Sequence, residues 1–147
     1  MELYSDSYFM NEAMKMAKIA FDENEIPVGA VIVCRNRIIA RAYNQTEKLT
    51  DVTAHAEILA ITSAENALGA KYLTECKLYV TLEPCAMCAG ACYWAQLGEI
   101  HYASNDPKRG FSRLNENLLH PKTKVHSGLM AQESKQLLEE FFKKLRN

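Results

Sequence analysis

The 147-residue sequence reads as a three-layer α/β/α sandwich around a five-stranded mixed sheet. Two observations carry that reading. After an initial helix and hairpin, β-rich and helical segments alternate, a pattern that makes the later strands parallel through right-handed crossovers. The composition, 48% hydrophobic and 24% charged, together with a length at which folding buries about 68–70% of the extended-chain surface, gives one domain over residues 1–147 with a core that needs no disulfide or structural metal.

The elements follow from local chemistry. Ser5 or Asp6 caps a helix in which Phe9, Ala13, Met16, Ala17 and Ala20 recur at three- and four-residue intervals up to about Asp22. Pro27 ends that segment. Val28–Cys34 and Arg37–Tyr43 are rich in β-branched and apolar residues, and Arg35-Asn36 between them makes a hairpin turn. A polar loop from Asn44 to Val52 leads to a second helix, about His55 to Leu68, with Gly69 as its C-cap. Lys77–Leu82 is a buried strand that feeds, through Pro84, an Ala-rich helix over Cys85–Leu97. Glu99–Ala103 is the next strand, 104–122 a loop, Lys124–Ser127 a short fifth strand and Ala131–Leu145 an amphipathic helix.

Several function classes are excluded at this level. No apolar run approaches the roughly 18–20 residues of a membrane span, and Met1 to Ser7 lacks the basic flank and apolar stretch of an export signal, so a cytoplasmic protein without a membrane partner is expected. Five cysteines, an odd number, argue against a disulfide framework and leave thiols for a metal. The net charge of −1 conceals an asymmetry: residues 1–100 carry 8 basic and 13 acidic groups, residues 101–147 carry 9 and 5. A basic C-terminal third suits phosphates, and equally a solvated helix face.

Chemistry concentrates in Thr53-Ala54-His55-Ala56-Glu57 and Glu83-Pro84-Cys85-Ala86-Met87-Cys88. Alone, the first is an ordinary structural His and the second a candidate redox pair. Together, His-x-Glu and Pro-Cys-x-x-Cys match the zinc deaminase signature in residue type and order. Cys85 and Cys88, three apart in a first helical turn, present both sulfurs to one ion. His55 and Glu57, two apart, do not share a face of a regular helix, so His55 is expected at an unwound or first-turn position with Glu57 in the next turn. Cys92 lies about 10 Å of helical rise beyond Cys85, whereas two sulfurs on one zinc are at most about 4.6 Å apart. Three ligands and an open fourth position remain, which is the catalytic arrangement. Cys92, Cys34 and Cys76 are read as buried hydrophobes.

Over nearly its whole length the chain resembles the bacterial tRNA-specific adenosine deaminases of the cytidine deaminase-like superfamily. The motifs that carry the likeness are IPVGAV (Ile26–Val31), Asn44, TAHAEI (Thr53–Ile58), LYVTLEPCAMCAGA (Leu78–Ala91), Asp106 with Lys108, HPKT (His120–Thr123) and the terminal FFKKLR. The resemblance implies hydrolytic deamination of the wobble adenosine of a tRNA anticodon loop to inosine, one Zn2+ per chain on His55, Cys85 and Cys88, and Glu57 as proton shuttle. It implies substrate contacts from Val28, Asn44, Ala54, Asp106, Lys108 and Phe142, and a homodimer through the helix after Pro-Cys. On the residues alone Asn44 is equally a turn residue and Val28 a core residue. Glu83 either touches the site or caps the following helix, and Phe141 and Phe142 have partners for core packing in Leu137, Leu138 and Leu145. Lys143, Lys144 and Arg146 would accompany a Phe at the phosphates. Tyr93-Trp94-Ala95 departs from many tRNA enzymes and resembles the small guanine deaminases of the same superfamily; as interface aromatics these residues fit the dimer instead. A non-enzymatic alternative, a zinc-stabilised RNA-binding module, requires a closed four-ligand shell and no Glu57.

Overall fold

The computed structural model describes residues 4–147. Met1, Glu2 and Leu3, part of the segment expected to lack an export signal, lie outside the described residues. The chain begins with α1 (Asp6–Asp22). Its cap is Ser5, whose hydroxyl accepts from the Tyr8 N–H at 3.1 Å. The hairpin of β1 (Gly29–Cys34) and β2 (Arg37–Tyr43) follows. Arg35 and Asn36 both take left-handed conformations, φ 52° and 63°, which is what a two-residue turn needs to match strand twist. Next come α2 (Ala56–Leu68), β3 (Cys76–Leu82), α3 (Ala86–Ala95), β4 (Glu99–Ser104), β5 (Lys124–Ser127) and α4 (Ala131–Arg146). A 3-10 turn, Phe111–Arg113, interrupts the loop between β4 and β5.

The sheet order is β2-β1-β3-β4-β5. β1 is antiparallel to β2 and β3, while β3, β4 and β5 are parallel, giving the mixed sheet expected. Alternation sorts the strands by face. Ala30, Ile32, Leu78, Val80 and Ile100 point toward α2 and α3, where Ala56, Ala60, Ala64, Ala89 and Cys92 let the helices approach closely. Val31, Val33, Tyr79 and Ala103 point the other way, onto Phe9, Met10 and Ala13 of α1.

Several boundaries differ from the sequence reading; β3 begins one residue earlier, at Cys76, and β4 ends one later, at Ser104. Val28 precedes β1 rather than opening it, although its carbonyl still accepts from the Asn44 N–H at 3.0 Å. The helix expected to run Cys85–Leu97 is shorter at both ends. Cys85 is its N-cap, and Gln96 turns left-handed (φ 56°) so that Leu97 leaves the helix and enters the core. Burial of Leu97 beside β3 outweighs one more helical turn. Of the cysteines read as buried, Cys76 and Cys92 are, whereas Cys34 is half-buried at the end of β1.

Candidate metal centre and its surroundings

Two helix N-termini meet beyond the carboxyl end of β3. His55 and Cys85 are the N-cap residues of α2 and α3, both extended (φ −76° and −75°), and neither side chain caps its own helix. The side chains are therefore free to face each other, with first-turn N–H groups and positive dipole ends behind them. His55 Nδ1 lies 3.7 Å from Cys85 Sγ and 3.4 Å from Cys88 Sγ. A tetrahedral zinc with Zn–S about 2.3 Å and Zn–N about 2.0–2.1 Å sets S···N edges of about 3.6 Å, so the donor set has the dimensions of a metal shell. The three form a group able to hold a metal ion, with all ligand atoms within 4.8 Å of one another, and Cys92 is not part of it.

The electrostatics favour a cation. The Cys85 thiol is held down to about 4, chiefly by the hydrogen bond from Cys88 and further by His55. Cys88 is pushed up by that same hydrogen bond and by burial. Its bond to Cys85 raises His55. Glu57, 4% exposed, is pushed up to about 7 by burial. It occupies the first turn of α2, and His55 is the unwound N-cap before it, which is one of the two arrangements the two-residue spacing allowed.

The residues expected to meet substrate fall in three parts of the fold. Val28, Asn44 and Ala54 are buried, and backbone bonds join them: Asn44 N–H to Val28 O at 3.0 Å and Gln45 N–H to Ala54 O at 3.0 Å. Asp106 and Lys108 lie on the loop after β4, where the Asp106 carboxylate accepts from the Lys108 and Arg109 N–H groups at 3.1 Å each. Glu83 does not cap α3 and is not part of the ligand group. Its buried carboxylate accepts from Asp106 N–H at 3.0 Å and Ser112 N–H at 2.8 Å, fastening the 106–112 loop beside Cys85. Gly110 sits where a Cβ would lie 2.3 Å from that carboxylate. The two aromatic residues of α4 separate: Phe141 is core, its ring 5.9 Å from that of Phe21, while Phe142 is 41% exposed. Phe142 lines a groove with Ile26, Thr46 and Lys48.

Sequence reasoning missed Glu25. Only 1% exposed, it accepts from Glu47 N–H at 3.1 Å and Lys48 N–H at 2.7 Å, holding the loop after Asn44. Its only signal was an acidic residue ahead of Ile-Pro, which looks like surface. Thr81 was missed as well; its hydroxyl accepts from Gly29 N–H at 3.1 Å and fixes the start of β1 next to Val28.

A family model of the MafB19-like deaminases matches residues 4–146. The chain belongs to this deaminase family. The deaminase is 45% identical over 145 residues to a tRNA-specific adenosine deaminase of Aquifex aeolicus, covering 95% of each chain. It is 42% identical over 146 residues to that of Bacillus subtilis, covering 96% of this chain and 91% of the relative. Among solved structures, a tRNA:A34 deaminase studied for A-to-I editing at the wobble position superposes with TM-score 0.84 at 42% identity, over 89% of this chain and 99% of that one. A guanine deaminase from Bacillus subtilis is 41% identical with TM-score 0.66, over 69% of this chain and 65% of that one.

Proposed function

We propose that this deaminase converts the wobble adenosine of a tRNA anticodon to inosine by zinc-dependent hydrolysis. The observation that supports it most is the end-to-end agreement with tRNA-specific adenosine deaminases at 42–45% identity, whereas the guanine deaminases match either 69% of the chain at 41% identity or 93% of it at only 21%. His55, Cys85 and Cys88 would hold the ion. Zinc bound there supplies a Lewis acid that brings a water toward deprotonation near neutral pH. Glu57, a buried acid that changes protonation near pH 7, accepts a proton from the attacking water and delivers protons to the ring nitrogen N1 and to the departing ammonia. Asn44 hydrogen-bonds the flipped base, Val28 and the Ala54 backbone shape its pocket, and Asp106, Lys108 and Phe142 border the neighbouring nucleotides.

A second copy is proposed against the outer face of α3, where Trp94 is 76% exposed and Tyr93 and Met87 are exposed beside it. As a tRNA enzyme the protein would work in the cytoplasm; no helix among the described residues is long and apolar enough to cross a membrane.

The likeness to a guanine deaminase and the Tyr93-Trp94 pair favour a second reading, deamination of free guanine. One assay separates the two. Protein carrying one zinc per chain is expected to release ammonia and form inosine in an anticodon stem-loop while leaving guanine intact. Turnover of guanine with none of the stem-loop overturns the tRNA assignment.

A further inference from the structure

On the sheet face that packs under α1 and α4, β4 and β5 place a second cluster of ligand-type side chains. His101 and His126 are register partners on these parallel strands. Their rings stack, centroids 4.5 Å apart and planes 21° from parallel. Both turn Nε2 toward one carboxylate oxygen, Glu99 Oε1, at 3.0 Å from His101 and 3.6 Å from His126. The first distance is a hydrogen bond; the second is not, so the His126 nitrogen faces two potential ligand atoms without a bond to Glu99. The three ligand atoms all lie within 4.8 Å of one another.

The surroundings fix this group in place. Tyr79 stacks on His101 with ring centroids 4.5 Å apart, and its hydroxyl donates to Asp6 at 2.5 Å. Lys77 Nζ lies 3.7 Å from Glu99 Oε2, which leaves Oε1 turned to the imidazoles. The His101 side chain is 8% exposed and that of His126 is 53% exposed, so the cluster is walled on one side and open to water on the other. Burial lowers the His101 pKa, leaving a neutral imidazole with a lone pair to give.

We propose that Glu99, His101 and His126 form a second divalent-metal site, selective for borderline ions such as Zn2+ or Ni2+. Two imidazole nitrogens and one carboxylate oxygen suit those ions. Tetrahedral coordination at about 2.05 Å sets ligand edges of about 3.4 Å, between the two distances to Oε1. Metal binding moves the proton of His101 from Nε2 to Nδ1 through water, with no net release. The exposed edge of His126 leaves the remaining position to solvent. The consequence is structural. β5 is a four-residue strand with every residue exposed, paired among the described residues only with β4, and a metal clip across His101 and His126 ties that edge down.

Equilibrium dialysis of the full chain against micromolar Zn2+, followed by metal analysis, tests it. Wild type is expected to bind two equivalents. His126→Ala, an exposed position whose loss leaves the core intact, and Glu99→Gln should each bind one and form inosine as wild type does. Amide exchange in β5 should slow by about tenfold or more with the second equivalent in wild type and not in His126→Ala. A single equivalent in wild type, or a second equivalent that survives His126→Ala, overturns the proposal. Deamination is read separately, so failure of the second site and failure of the tRNA reading give different results.

Discussion

Glu57 is a carboxyl group packed where water solvates it poorly, and that burial raises its pKa to about 7. Proton transfer at neutral pH needs a group of that acidity beside the ligand set. Glu57→Gln is therefore expected to keep the metal and the fold while losing turnover by about 10²–10⁴-fold, measured as single-turnover inosine formation with metal analysis alongside. Near-normal turnover with full metal would remove Glu57 from the chemistry. The cysteines divide by position. Cys88→Ala should lose the metal at the His55 centre, whereas Cys92→Ala, a core residue outside the ligand group, should retain it at a cost of about 1 kcal/mol in stability. Metal content of the two variants decides this. Glu12 offers a pH test away from the site. Its buried carboxylate meets Lys15 at 2.7 Å and Arg41 at 2.9 Å, which lower its pKa below 4.5. A carboxylate with a depressed folded pKa adds stability above its unfolded pKa and loses it as pH falls through the folded value. Glu12→Gln should be less stable by about 1 kcal/mol at pH 7, a gap that closes in denaturant titrations as pH drops below 4.5.

At the scale of elements, the separations between layers are set by small residues. α1 crosses β1 so closely at Gly29 that a Cβ there would stand 2.1 Å from the Ala13 carbonyl oxygen and 2.4 Å from the Ala17 nitrogen. Backbone cannot yield as a side chain does, so Gly29→Ala should destabilise by about 3 kcal/mol or more, seen as a lowered Tm or loss of soluble protein. A mild effect would mean that α1 shifts freely on the sheet. The carboxyl ends of the strands are secured by polar bonds of a similar kind. The Thr81 carbonyl accepts from the Ser134 hydroxyl, joining α4 to β3. Through these bonds the sheet fixes both α4, which carries Phe142, and the loop held by Glu83.

Across the molecule as one body, positive charge gathers in the C-terminal third, where residues 101–147 carry 9 basic and 5 acidic groups. Lys143, Lys144 and Arg146 are exposed at the end of α4, and Lys144 Nζ lies 4.8 Å over the Phe21 ring. If they meet anticodon phosphates, replacing all three by Ala should raise the KM for a stem-loop and flatten its dependence on salt by about 0.7–0.9 in log–log slope for each phosphate no longer neutralised. Metal content and the saturating single-turnover rate should stay the same. Measurement of KM at several salt concentrations checks it, and a salt-insensitive KM in wild type would place the phosphates elsewhere.

The order and kind of the elements are legible in the chain itself, because period and capping are local. Ser5 before the first helix, Gly69 after the second and the β-branched hairpin each state their conformation within a few residues. The metal group is legible for a similar reason, since residue type and a three-residue spacing restrict which side chains can share an ion. Contacts between residues far apart along the chain come from folding alone. Glu83 binds a loop 23 residues away, Glu25 a loop 22 residues away, and His101 and His126 meet only because β5 pairs with β4. The split between Phe141 and Phe142 is of the same kind. Adjacent residues on a helix point about 100° apart, and the placement of α4 against α1 determines which of them is buried.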